Sequence, residues 1–135
     1  MEIAGKMFLN AGDVVPCVGL TGDFEGTDLR LEAAEWPALK VAIGLQSLPA
    51  VFVFVASSTE LSSQLNELFL LWDSRVNFWV FYPKKPHLNT DLGRDATWKI
   101  MRQAGMNGTR QIAVGDLWSC MYFKNSGKTD YKDIA

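Results

Sequence analysis

Ala50-Val51-Phe52-Val53-Phe54-Val55 is apolar at every position, and Ser57-Ser58-Thr59-Glu60 follows it. An unbroken apolar run of this kind reads as a strand buried on both faces of a parallel sheet, because a half-solvated strand would alternate. The Ser-Ser-Thr-Glu stretch matches a capping box, in which a hydroxyl takes a free amide and the glutamate reaches back three residues. Leu61, Leu65, Leu68, Phe69 and Trp72 then fall on one helical face. Asp73-Ser74 breaks the helix. Val76-Asn77-Phe78-Trp79-Val80-Phe81-Tyr82 forms a second buried strand that stops at Pro83. Strand, helix, strand is a βαβ unit with a right-handed crossover.

Upstream, Val14-Val15-Pro16-Cys17-Val18 reads as a strand that enters the loop Gly19-Leu20-Thr21-Gly22. Pro16 argues against a central place for it, since proline cannot donate to a ladder. The spacing of Leu29, Ala33 and Trp36 predicts a short helix within Asp28–Glu35 that Pro37 closes, and Leu39–Ile43 reads as a further strand. Downstream, Lys84-Lys85-Pro86-His87-Leu88-Asn89 is a polar loop. Thr90 is expected to cap the next helix and Asp91 to sit where its dipole favours negative charge. Leu92, Ala96, Ile100 and Ala104 recur every fourth residue before Gly105 stops the helix. Gln111–Val114, a Gly115-Asp116 turn and Leu117–Phe123 make an antiparallel hairpin. The whole reads as an α/β chain: a three-layer, Rossmann-like sandwich with a mostly parallel sheet and a C-terminal antiparallel hairpin.

Composition bounds the rest. With 135 residues, 48% hydrophobic and 21% charged, residues 1–123 read as one α/β domain and 124–135 as a polar, flexible C-terminal tail. A formal charge of −2 excludes a general nucleic-acid binder. The charge divides unevenly, −5 over residues 1–60 and +3 over 61–135. No apolar run reaches the roughly 18–20 residues that span a bilayer, so no membrane association is expected. Met1–Lys6 lacks a basic segment followed by an apolar one, and two cysteines make no disulfide framework. A reducing, cytoplasmic setting follows.

The run Phe78-Trp79-Val80-Phe81-Tyr82-Pro83-Lys84-Lys85, followed by Thr90-Asp91-Leu92, resembles a bacterial family classed only as a domain of unknown function. Members of that family carry an apolar strand ending in Pro-Lys-Lys or Pro-Lys, a short loop, and Thr-Asp-Leu opening a helix. They finish on a strand with Trp-Ser and an aromatic, as Trp118-Ser119 and Phe123 do here. Lys6–Val15, Val51–Ser57 and Glu60-Leu61 are similar to the family's opening and central elements. Residues 23–48 depart from it. The resemblance implies a small α/β domain in a bacterial cytoplasm, and it implies no activity.

Lys84, Lys85, His87, Asn89, Thr90 and Asp91 form the leading candidate site. Open α/β sheets bind ligands beyond the carboxyl ends of their strands, and two ammonium groups beside a helix N-terminus suit a small anion. Gly19, Thr21, Gly22 and Asp23 offer an alternative loop. Methyltransferases that use S-adenosylmethionine carry a glycine-rich loop at this position of a related sheet. Here Asp23 and Glu25 would repel phosphates, and no complete nucleotide fingerprint is present. His87 is the sole histidine, and Cys17 and Cys120 lack metal-ligand spacing, so no metal site is expected. Asp91 and Asp95 would share a solvated helix face, and Ser119 lacks a hydrolase elbow. Trp98 lies off the apolar stripe and marks a candidate partner or homo-oligomer surface. The sequence thus describes a non-catalytic binding or interaction domain without a cofactor, its partner a small anionic ligand or a protein. A degenerate S-adenosylmethionine-dependent enzyme is the rival.

Overall fold

The structure, a computed structural model, describes residues 1–125. The tail expected over 124–135 lies outside the described residues from Ser126 onward. Six strands form one sheet: β1 (Val14–Val18), β2 (Arg30–Ala33), β3 (Val51–Phe54), β4 (Phe78–Pro83), β5 (Gly108–Val114) and β6 (Trp118–Phe123). Their order is β2-β1-β3-β4-β6-β5. The first four are parallel, while β6 runs antiparallel to both β4 and β5. The mostly parallel sheet with a C-terminal antiparallel pair is therefore as the sequence reads.

The two central strands are buried at every residue, and their side chains divide by parity. Val51, Val53, Phe78, Val80 and Tyr82 pack with Leu39, Leu61, Leu68, Leu71 and Met101 from the helices α1 (Trp36–Leu45), α2 (Ser58–Ser63), α3 (Leu65–Asp73) and α4 (Arg94–Gln103). Phe52, Phe54, Trp79 and Phe81 face the other way. Their cover is Ile3, Ala4 and Met7 of the N-terminal segment, with Phe24 and Leu29 from the β1–β2 connection. No α-helix among the described residues contributes to that second cluster. No helix there is long and apolar enough to cross a membrane.

Five expectations are corrected. The helix expected within Asp28–Glu35 is β2, which pairs with β1 from Val14↔Arg30 to Cys17↔Ala33. Partners along β1 outweigh a weak three-residue spacing. The strand expected over Leu39–Ile43 is the middle of α1. Pro37 opens that helix instead of closing one, because the first turn leaves its amides unpaired in any case. β1 lies between β2 and β3 despite Pro16, since its ladder with β3 involves only Cys17 and Val18. Finally, the long helix after Ser57 is broken at Gln64 into α2 and α3. Beyond the break Leu68 and Leu71 are buried, and Phe69 is 44% exposed.

The capping box is real with a one-residue displacement. Ser57 Oγ accepts from the Glu60 amide at 3.2 Å, and Glu60 Oε2 accepts from the Ala56 amide at 3.2 Å. The hairpin turn holds three residues, not two: Gly115, Asp116 and Leu117 separate β5 from β6.

Candidate functional site

The parallel strands β1, β3 and β4 end on one edge of the sheet, and β6 begins there, with Trp118 opposite Pro83. The loops after β1 and β4 therefore meet at the carboxyl edge. Gly19 makes the first loop possible. Its φ is +77°, and a Cβ there would stand 2.7 Å from the Phe54 carbonyl oxygen, so only glycine lets the chain pass this close to β3. The loop then turns through Gly22–Phe24 and buries Phe24. That ring lies 4.8 Å from Phe54, 5.3 Å from Phe81 and 5.5 Å from Trp118, each edge to face.

Burying Phe24 aims its neighbour Asp23 along the edge. Trp118 Nε1 donates to Asp23 Oδ2 at 2.9 Å, and His87 Nε2 stands 3.3 Å from the same oxygen. The His87 and Trp118 rings lie 5.8 Å apart, nearly perpendicular. The Trp118 bond, with help from His87, holds the Asp23 carboxyl below its ordinary range against some desolvation. Two loops that the sequence treats as alternatives thus form one cluster. Trp118 is the member that the sequence reads only as part of the second hairpin strand. It stands 95 positions from Asp23, and no local signal joins them.

The remaining residues of the strand-end loop have partners of their own. Lys84 Nζ donates to the Gly115 carbonyl at 2.9 Å, which ties the loop to the hairpin turn. Lys85 lies within the field of Asp91. Thr90 and Asp91 do not cap the helix they precede. Helix α4 starts at Arg94, and Gly93 occupies its cap position without a side-chain bond. Thr90 is buried, and its Oγ1 accepts from the Leu92 amide at 3.0 Å. Asp91 caps α2 instead, accepting from the Ser58 amide at 2.8 Å and from the Ser58 hydroxyl. Those bonds lower its pKa, the hydroxyl contributing most. Asp91 lies outside α4, so it shares no helix face with Asp95.

Nucleophilic chemistry finds little footing here. Burial pushes the Cys17 thiol up to about 12 and raises that of Cys120 well above its ordinary value, leaving both protonated near neutrality. Ser119 is buried within β6. The His87 ring nitrogen meets the Asp23 carboxylate, and no hydroxyl or thiol among the described residues is joined to it. Among the described residues no group of three or more His, Cys, Asp or Glu could hold a metal ion. Trp98 is 40% exposed on α4, off the buried positions Thr97 and Met101, as its spacing predicts.

No family model matches the chain, and no curated protein matches it. Among solved structures, one that it is similar to is a SAM-dependent methyltransferase from Aquifex aeolicus. The two are 17% identical with a TM-score of 0.44, over 90% of this chain and 86% of that one.

Proposed function

We propose that this chain is a small non-catalytic binding or interaction domain that takes a small anion at the carboxyl edge of its sheet. Lys85 and the His87 ring would face the ligand, with Lys84 recruited from Gly115. The observation that carries the reading is the position of Lys84 and Lys85 just beyond the carboxyl end of β4, on the edge where two sequence-distant loops converge. Lys84 and Lys85 immediately precede the Asp23–His87–Trp118 cluster, and Asp91 holds the far end of the loop to α2 while Thr90 takes the Leu92 amide. In the fuller architectural reading the sheet is the middle of a three-layer, Rossmann-like sandwich, with non-helical segments serving as its third layer. The resemblance to the uncharacterised bacterial family adds a cytoplasmic, bacterial setting to the same proposal.

The test is a thermal-shift screen against nucleotides, sugar phosphates, small carboxylates and S-adenosyl compounds. A true ligand raises the melting temperature progressively with its concentration, adding about 2.7 kcal/mol of stability at a hundredfold excess over its dissociation constant. The expected hit is an anion whose effect disappears when Lys84 and Lys85 are both changed to alanine. A hit confined to S-adenosylmethionine or S-adenosylhomocysteine and untouched by that change would instead favour the methyltransferase-like alternative at Gly19, Thr21, Gly22 and Asp23.

A further inference from the structure

The amino ends of the parallel strands carry a second concavity, at the opposite edge of the sheet from the cluster just described. It is a groove of about 660 Å³, within the size range of small-molecule sites. Its aromatic wall comes from adjacent strands: Trp79 of β4 is in register with Tyr122 of β6, and Tyr122 with Arg110 of β5. The Trp79 and Tyr122 rings stack at 4.5 Å, and Phe8 leans on Tyr122 at 5.5 Å. Phe8 is 59% exposed and held at φ +60°, a left-handed conformation that a bulky aromatic adopts at a cost. The Arg110 guanidinium sits 5.0 Å from the centre of its ring.

Charge and hydrogen bonding single this groove out. Among the described residues its charged lining is Arg110 and Lys124, with no carboxylate. The Trp79 indole N–H is buried without an acceptor among the described residues. Burial raises the Tyr122 pKa. A buried donor without a partner is rare in folded proteins and asks for an explanation. Among the described residues the groove therefore offers an exposed aromatic face, two cations without a lining counterion, and a buried donor without an acceptor in its wall.

We propose that this groove binds a small organic anion bearing a flat ring. The ring packs against the exposed Phe8, which the buried Trp79–Tyr122 stack supports, and the anionic group meets Arg110 and Lys124. A phosphate on a mononucleotide and a carboxylate on an aromatic acid share this chemistry, and the experiment separates them. It does not depend on the carboxyl-edge site.

The full-length, isotope-labelled chain is titrated with adenosine 5′-monophosphate and, separately, with 4-hydroxyphenylacetate, while its indole N–H signals are followed by NMR. Inorganic phosphate and cyclohexanecarboxylate serve as anions without a flat unsaturated ring. At least one aromatic anion should saturate at about 1 mM or below. It should move the Trp79 signal and leave the Trp118 signal in place. Arg110→Gln combined with Lys124→Gln should weaken that binding about tenfold with an unchanged melting curve, the loss expected for charge-assisted contacts. If the double variant melts early, Lys124→Gln alone decides by the same criterion. Saturation by the nucleotide alone identifies a phosphate ligand, and by the acid alone a carboxylate. The proposal is overturned if neither aromatic anion binds, if the ring-free anions bind as well, if Trp118 responds in place of Trp79, or if the variants bind undiminished.

Discussion

The two edges of this sheet treat their polar side chains differently. At the carboxyl edge Asp23, Lys84, His87 and Asp91 each contact another part of the chain, and Thr90 takes the Leu92 amide. At the amino edge Arg110 rests on a ring, and the Trp79 donor has no acceptor among the described residues. Bonds within the chain hold loops in place, so a ligand arriving at the carboxyl edge competes with Gly115 for Lys84 and with Asp23 for His87. A ligand at the amino edge displaces no side-chain hydrogen bond of Arg110 or Trp79 among the described residues. Satisfied polar groups build an edge, and unsatisfied ones leave capacity for something external.

The contrast can be broken most forcefully at Phe24. Its ring supports Asp23 from below, and Phe24→Ala should cost about 3–5 kcal/mol in urea unfolding, as for other buried aromatics. A loss below about 1 kcal/mol would mean that the carboxyl edge does not rest on this side chain. Gly19→Ala comes next, at roughly 1–3 kcal/mol, because it forces a left-handed residue against the Phe54 carbonyl. An unchanged urea midpoint would show that the β1 loop can move away from β3 freely.

The finest distinction is between two tryptophans. Trp118→Phe removes the donor that holds the Asp23 carboxyl low, whereas Trp79→Phe removes a donor without an acceptor. A carboxyl whose folded pKa is depressed contributes stability that is fully present above its unfolded pKa. That contribution is lost as the pH falls through the lower, folded value. The melting-temperature gap between Trp118→Phe and the parent chain should therefore be full near neutrality and shrink on acidification below the ordinary aspartate range. For Trp79→Phe the gap should stay level over the same pH range. Parallel pH profiles for the two variants would remove the distinction between the edges.

Where local chemistry sufficed, residue order was a good guide. Ala50–Val55 and Phe78–Pro83 announce buried parallel strands because continuous apolar character has few other uses at that length. Ser57 and Glu60 announce a helix start because capping is settled within four residues. Trp98 is legible as exposed for a similar reason: helical spacing alone sets its direction. The stretch from Asp28 to Leu45 misleads, because β2 is short and partly exposed and is held by its pairing with β1. Propensity carries little information against such a partner. Thr90 and Asp91 look like a cap for the helix that follows, yet the acceptor serves a helix 33 residues earlier.

What could be read from residue order alone was the class: an α/β chain with a mostly parallel sheet, its most buried strands, and the ranges of both candidate loops. These follow from burial patterns and turn chemistry that operate over a few neighbouring residues. Which loops meet, which carboxylate caps which helix, and which donor goes without a partner were settled by the packed sheet. Asp23 reaches His87 across 64 positions and Trp118 across 95. The aromatic groove requires Phe8, Trp79 and Tyr122 to be brought together by strand register. Hydrogen bonds and ring contacts act over a few ångströms, so their partners exist only once distant segments have been folded into the same place.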